Sequence, residues 1–233
     1  MTWKGNGSMS FQVYTYGDPA AETLLVQMVD DHDMEGIENE FSKIRELTGG
    51  QDFCLKAVKI DDWNKDLSPW VAPAVFGNED FGEGAADTLR YVLEEVLPAA
   101  GGEGAVPAPG GAKNTYIGGY SLAALFALWA GYQTDRFDGV AAASPSMWFP
   151  DFIEYMRGNK VRADSVYLSL GDREERTRNP VMSQVGNKIR EAETILRETG
   201  VRCTLEWNKG NHFKDADLRT AKAFAWLMTT REV

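Results

Sequence analysis

Histidine and cysteine are scarce in this chain, with two of each in 233 residues, and each shortage narrows what the protein can be. Cys54 and Cys203 both sit inside apolar, strand-like runs. They read as buried thiols of a reducing cytoplasm, since a core of this size does not require a disulfide. Long hydrophobic stretches are also missing: no apolar run approaches the ~18 residues that a membrane span needs. The opening "MTWKGNGSMSF" has neither a basic start nor an apolar signal core, so nothing in it marks the chain for export. Positive charge is outnumbered, 24 Lys and Arg against 35 Asp and Glu, and the net charge of -11 is spread along the chain rather than gathered in a tail. Such a surface repels phosphate backbones and anionic headgroups, which argues against nucleic acid and membrane as partners.

What remains is an ordinary globular composition, 43% hydrophobic and 25% charged. A single domain over residues 1–233 would bury roughly 70 to 75% of the surface its unfolded chain exposes. Short apolar runs alternate with amphipathic helical patterns. The strand candidates are Ser10 to Tyr16, Leu24 to Val29, Phe53 to Ile60, Thr115 to Gly118, Gly139 to Ala143, Ser165 to Leu170 and Thr204 to Trp207. Between them, Ile37, Phe41, Ile44 and Leu47 mark one helix, ended by Gly49-Gly50; Leu89, Val92 or Leu93, and Val96 mark a second, stopped by Pro98. Val185, Ile189, Ala192 and Leu196 make a third, with Asn179 as N-cap and Pro180 at the first helical position, and Leu218, Ala221, Ala225 and Met228 make the last. The alternation predicts an α/β fold, a mostly parallel doubly wound sheet with helices on both faces. The first run alternates in polarity, as an antiparallel strand at the beginning of the sheet would. Ala99 to Gly111, "AAGGEGAVPAPGG", reads as a surface loop.

One junction stands out. In "NTYIGGYSLAALFALWA" a buried strand runs into Gly118-Gly119-Tyr120-Ser121 and restarts without a spacer as a helix that has almost no polar face. Ligand sites of open α/β sheets lie at the carboxyl ends of strands, where Ser121 falls. Gly119 and Ala123 flank the serine at two residues on either side. Small residues are required there if the serine occupies a strained strand-to-helix elbow, because the flanking backbones nearly touch. The alternative is that Ser121 only caps the helix.

A nucleophilic serine needs a base. For such an elbow the chain order is serine, acid, histidine; His32 precedes Ser121, and His212, in "WNKGNHFKDADL", follows it. The acid is expected after the penultimate strand, where "LSLGDREERTRNP" offers Glu174, with Asp172 and Glu175 as alternatives. Oxyanion donors are expected from the Leu122 N–H and from Asp30 or Asp31 in "LLVQMVDDHDM", a loop that lacks the glycine-rich form common in esterases. Trp63 and Trp70 in one segment, and Trp148 and Phe149 in another, are expected to wall a substrate pocket near Ser121.

The segments "GGYSLAALFALWA", "AAASPSMWF", "LSLGDREERTRNP" and "GNHF" together resemble an esterase family of the α/β-hydrolase superfamily, the branch that includes esterase D and the enterochelin esterases. The resemblance runs from about Leu24 to Leu227. It implies a serine hydrolase with neither metal nor organic cofactor, Ser121 as nucleophile, His212 as base, and the acid within Asp172 to Glu175. Three functions are compatible with these residues: a carboxylic ester hydrolase acting on a small-molecule ester, another acyl chemistry on the same triad (thioesterase, acyltransferase or peptidase), and a non-catalytic binding protein on a relict fold.

Overall fold

A computed structural model describes residues 10–98 and 112–230; the expected loop from Ala99 to Gly111 lies outside the described residues. Seven strands form one sheet in the order β1-β3-β2-β4-β5-β6-β7. They are β1 (Gln12–Gly17), β2 (Thr23–Val29), β3 (Cys54–Lys59), β4 (Asn114–Tyr120), β5 (Gly139–Ala143), β6 (Ser165–Gly171) and β7 (Arg202–Asn208). Each coincides with an expected run to within two or three residues. β1 pairs antiparallel with β3, and every other pairing is parallel.

The helices are α1 (Asp31–Leu47), α2 (Trp63–Asp66), α3 (Ala85–Tyr91), α4 (Leu122–Gln133), α5 (Phe152–Gly158), α6 (Val185–Glu198) and α7 (Ala216–Thr229). They cover both faces of the sheet, as strands of a parallel sheet require. On one face α1 and α7 pack Ile37, Ile44, Phe224 and Leu227 onto Leu25, Leu55, Tyr116 and Tyr167. On the other, α3, α4 and α6 pack Leu89, Phe126, Leu128 and Ile189 onto Val26, Ile117, Val140 and Leu168. The eleven residues from Leu122 to Tyr132 are all buried, which explains the missing polar face of α4.

The second stripe runs through Leu89, Val92 and Val96, all buried, with Leu93 only partly so, and a π-helical turn, Val92–Val96, follows α3. Two helix readings are adjusted. Leu47 is 43% exposed rather than on the core face of α1. Asn179 does not cap α6: its Oδ1 accepts from the N–H groups of Val181 and Met182, ahead of a short 3-10 turn at Met182–Gln184 that precedes α6. The capping chemistry of Asn179 thus serves the turn and not α6. Cys54 is buried, Cys203 is half-buried, and both are free thiols. No helix among the described residues is long and apolar enough to cross a membrane.

Candidate active site

Parallel strands with crossover helices put their carboxyl ends along one rim of the sheet, and four of those ends build the site. β4 delivers Ser121 on the elbow. Its backbone sits at φ 59°, ψ -120°; Ser121 holds the N-cap position of α4, but its hydroxyl makes no capping bond to the helix. A β-carbon on Gly119 would lie 2.7 Å from the Ala123 methyl, which is the close approach that the small flanking residues predicted. The Ser121 N–H donates to Ala143 O at 3.2 Å, and its carbonyl accepts from Ser146 N at 3.1 Å. The elbow is thereby pinned to the end of β5.

The loop after β7 brings His212 to this point. His212 Nε2 lies 3.0 Å from Ser121 Oγ, and His212 Nδ1 lies 2.7 Å from Glu174 Oε2. Of the three candidate acids, only Glu174 reaches the imidazole. Asp172 accepts instead from Gly210 N at 2.8 Å, and Glu175 pairs with Arg190 at 3.3 Å.

Glu174 is deeply enclosed, with 4% of its side chain exposed. Burial alone would raise its pKa. The His212 contact, the Gly171 N–H and the Ser144 hydroxyl outweigh burial and hold the carboxyl below its ordinary value. Its other oxygen, Oε1, accepts from Gly171 N at 2.7 Å, Ser144 Oγ at 2.8 Å and Arg219 Nη1 at 2.8 Å. Ser144 is itself a non-glycine residue at positive φ, 46°. Tyr120, whose hydroxyl donates to the His212 carbonyl at 2.7 Å, has its phenol pushed up to about 12 by burial and the charge of Glu174.

Four neighbours escaped the sequence reading. Ser146 Oγ lies 3.3 Å from Ser121 Oγ, and Ser144 and Ser146 both belong to "ASPS", visible only as part of a motif. Tyr120 reads as an ordinary buried strand residue. Arg219 sits within an amphipathic helix, where an arginine reads as solvated.

The oxyanion candidates lie along the β2–β4 pairing. Gln27 is level with Gly118 at the end of that pairing, and Asp30 and Asp31 follow where β2 gives way to α1. Asp30 caps α1, and its N–H is engaged by Asp33 Oδ2 at 3.2 Å. Asp31 is the first residue of α1, where an N–H has no intrahelical acceptor. Its carboxylate is held by Lys59 at 2.6 Å.

Of the four aromatic candidates, three share one cluster. Trp70 lies 5.7 Å from Phe149, and Phe81 lies 5.2 Å from Phe149 and 5.9 Å from Trp148. Phe149 and Trp148 are buried, so both rings also pack their loop onto the core. Trp63 stands on α2, apart from these ring pairs. A cavity of about 600 Å³, lined by Tyr132, Lys160, Arg162 and Thr199, lies toward the amino ends of β6 and β7, at the other end of the sheet from Ser121.

Set against known proteins, residues 56–211 match the Esterase family, described as "Putative esterase", over more than half of the chain. No curated protein sequence matches. The siderophore hydrolase EstA from Aspergillus nidulans superposes with a TM-score of 0.71 at 19% identity, over 96% of this chain and 91% of that one. An IroE-like serine hydrolase from Shewanella oneidensis gives 0.67 at 12% identity, over 94% and 80%. The enterochelin esterase from Shigella flexneri gives 0.65 at 20% identity, over 94% of this chain and 55% of its own length. These likenesses are of fold. The family match goes further: the chain belongs to the esterase family, a group of ester hydrolases, and it carries their α/β-hydrolase fold.

Proposed function

We propose that the protein is a serine esterase in which Ser121 is the nucleophile, His212 the general base and Glu174 the acid that orients the imidazole. His212 takes the Ser121 proton through Nε2 as Oγ attacks the ester carbonyl. The tetrahedral oxyanion is received by the N–H groups of Leu122 and Asp31. His212 then protonates the departing alcohol, leaving an acyl group on Ser121, and a water activated by the same imidazole releases the acid.

The observation that carries this reading is the unbroken chain from Ser121 Oγ to His212 at 3.0 Å and from His212 to Glu174 at 2.7 Å, set on a strained elbow. A binding protein on a relict fold has no need of that strain. The rim bears on the substrate: Phe213, 84% exposed, stands beside His212, and Phe76, half exposed, stacks edge-on against Trp148. An exposed ring beside the imidazole, and a second against Trp148, suit a bulky ester with an aromatic part. The names of the structural neighbours, a siderophore hydrolase and an enterochelin esterase, agree with an ester of that size.

The test is covalent labelling with a fluorophosphonate, with the modified peptide located by mass spectrometry. Wild type should label at Ser121, and Ser121→Ala and His212→Ala should not. Folded wild type that stays unlabelled would return the protein to the binding class.

A further inference from the structure

Arg219 lies one turn into α7 and is 1% exposed, yet it is tied to four separate segments. Its Nη1 donates to Glu174 Oε1 at 2.8 Å, to the Tyr120 hydroxyl at 3.0 Å and to Ser144 Oγ at 3.1 Å; its Nη2 donates to Asn211 O at 2.9 Å. One guanidinium therefore touches the end of β4 beside Ser121, the end of β5, the acid loop, and the residue before His212. Stability does not account for it. Removing a guanidinium from water is costly, a buried ion pair seldom repays that cost against a well-packed apolar side chain, and its Nε has no acceptor among the described residues.

We propose that Arg219 is a positioning residue that fixes the Glu174 carboxylate and cancels its charge, which keeps the resting His212 imidazole neutral and able to accept the Ser121 proton. The inference rests on the triad reading above. Three donors, Gly171 N, Ser144 Oγ and Arg219 Nη1, occupy Glu174 Oε1 and leave Oε2 to face His212. With Arg219 present the acid and its partner sum to zero charge, so a protonated imidazole adds an uncompensated positive charge beside an enclosed pair. Without it, an imidazolium would be the sole counter-ion of a buried carboxylate and would be favoured at rest. The other titratable groups nearby do not replace it. Tyr120 is a high-pKa phenol, Asp172 is bound to Gly210 N, and Tyr167 donates to Glu206, which Lys222 neutralises.

The experiment compares wild type, Arg219→Met and Arg219→Lys. It measures the fluorophosphonate labelling rate against pH and the His212 imidazole resonances by NMR. With only two histidines in the chain, His32→Gln leaves a single titrating ring. In Arg219→Met the protonation midpoint and the acid limb should both move up by about one pH unit or more. Arg219→Lys should keep the midpoint near that of wild type while labelling more slowly, because its ammonium lacks the planar fork. A folded Arg219→Met that labels slowly with an unmoved midpoint would make Arg219 a brace alone and overturn the proposal. If Arg219→Met does not fold, Glu174→Gln with and without Arg219→Met reads the same charge, and an equal midpoint in the two would likewise overturn it. Wild type that does not label would remove the triad reading itself, a result separable from any shift in the NMR midpoint.

Discussion

Glu174 and Glu40 both have enclosed side chains, and their surroundings treat them in opposite ways. Glu174, at the rim of the sheet, is met by a backbone N–H, a hydroxyl, a guanidinium and an imidazole. Glu40, on α1, is 3% exposed and is met by one amide, Gln27 Nε2 at 3.3 Å; its Oε1 and the Gln27 Oε1 both lack partners among the described residues. Burial is similar, but the donors differ. Glu174 is held below the ordinary carboxylate range, whereas burial pushes Glu40 well above it, with Asp33 and Asp217 adding repulsion. Burial thus says little about the charge of a carboxylate until its donors are counted.

The largest way to break the contrast is to remove the charge that the rim was built to hold. Glu174→Gln should lower the rate of esterolysis or labelling by ~10³-fold, since the amide no longer orients the imidazole nor stabilises its cation. A loss under tenfold would show that His212 works without an acid. Next, Glu40→Gln should leave labelling unchanged and stabilise the fold at pH 8 by on the order of 1 kcal/mol, with little change at pH 4. The sign follows from the raised folded pKa. The contribution of Glu40 is complete below its unfolded value of about 4.3 and is lost as pH rises through the folded one. Glu174 runs the other way, its contribution present above that value and lost as pH falls through its lowered pKa. Urea titrations of Glu40→Gln and wild type at the two pH values check this, and an equal difference at both would mean that Glu40 is charged in the fold. The smallest effect is expected from Glu175→Gln, an exposed acid paired with Arg190: under ~0.5 kcal/mol in stability and under about twofold in rate. A larger loss would move part of the acid's role to Glu175.

The sequence showed the fold well because the central parallel strands β2, β5 and β6, buried on both faces, are nearly continuous apolar runs, while the exposed antiparallel β1 was marked by its alternation. It showed Ser121 because an elbow needs small residues at fixed places. His212 followed from chain order and from the shortage of alternatives. The choice among Asp172, Glu174 and Glu175 was less determined, for three carboxylates within four residues differ in where a tight turn points them. The Gly171 N–H, donating to Glu174 Oε1, settles that direction. Arg219 was illegible: its burial depends on three segments distant in sequence, at Tyr120, Ser144 and Glu174, besides the nearby His212 loop. The π turn at Val92–Val96 was illegible too, since it has no compositional mark.

The close contact across the elbow has a consequence for how this sequence can vary. A methyl at position 119 would meet not only the Ala123 methyl at 2.7 Å but also the Ala123 carbonyl carbon at 3.0 Å. Trimming Ala123 to glycine would relieve the first contact and leave the second. The two small positions of the elbow are therefore unequal in mutational tolerance. In a saturation library scored for folding and labelling, position 119 should accept glycine alone, whereas position 123 should accept glycine or alanine.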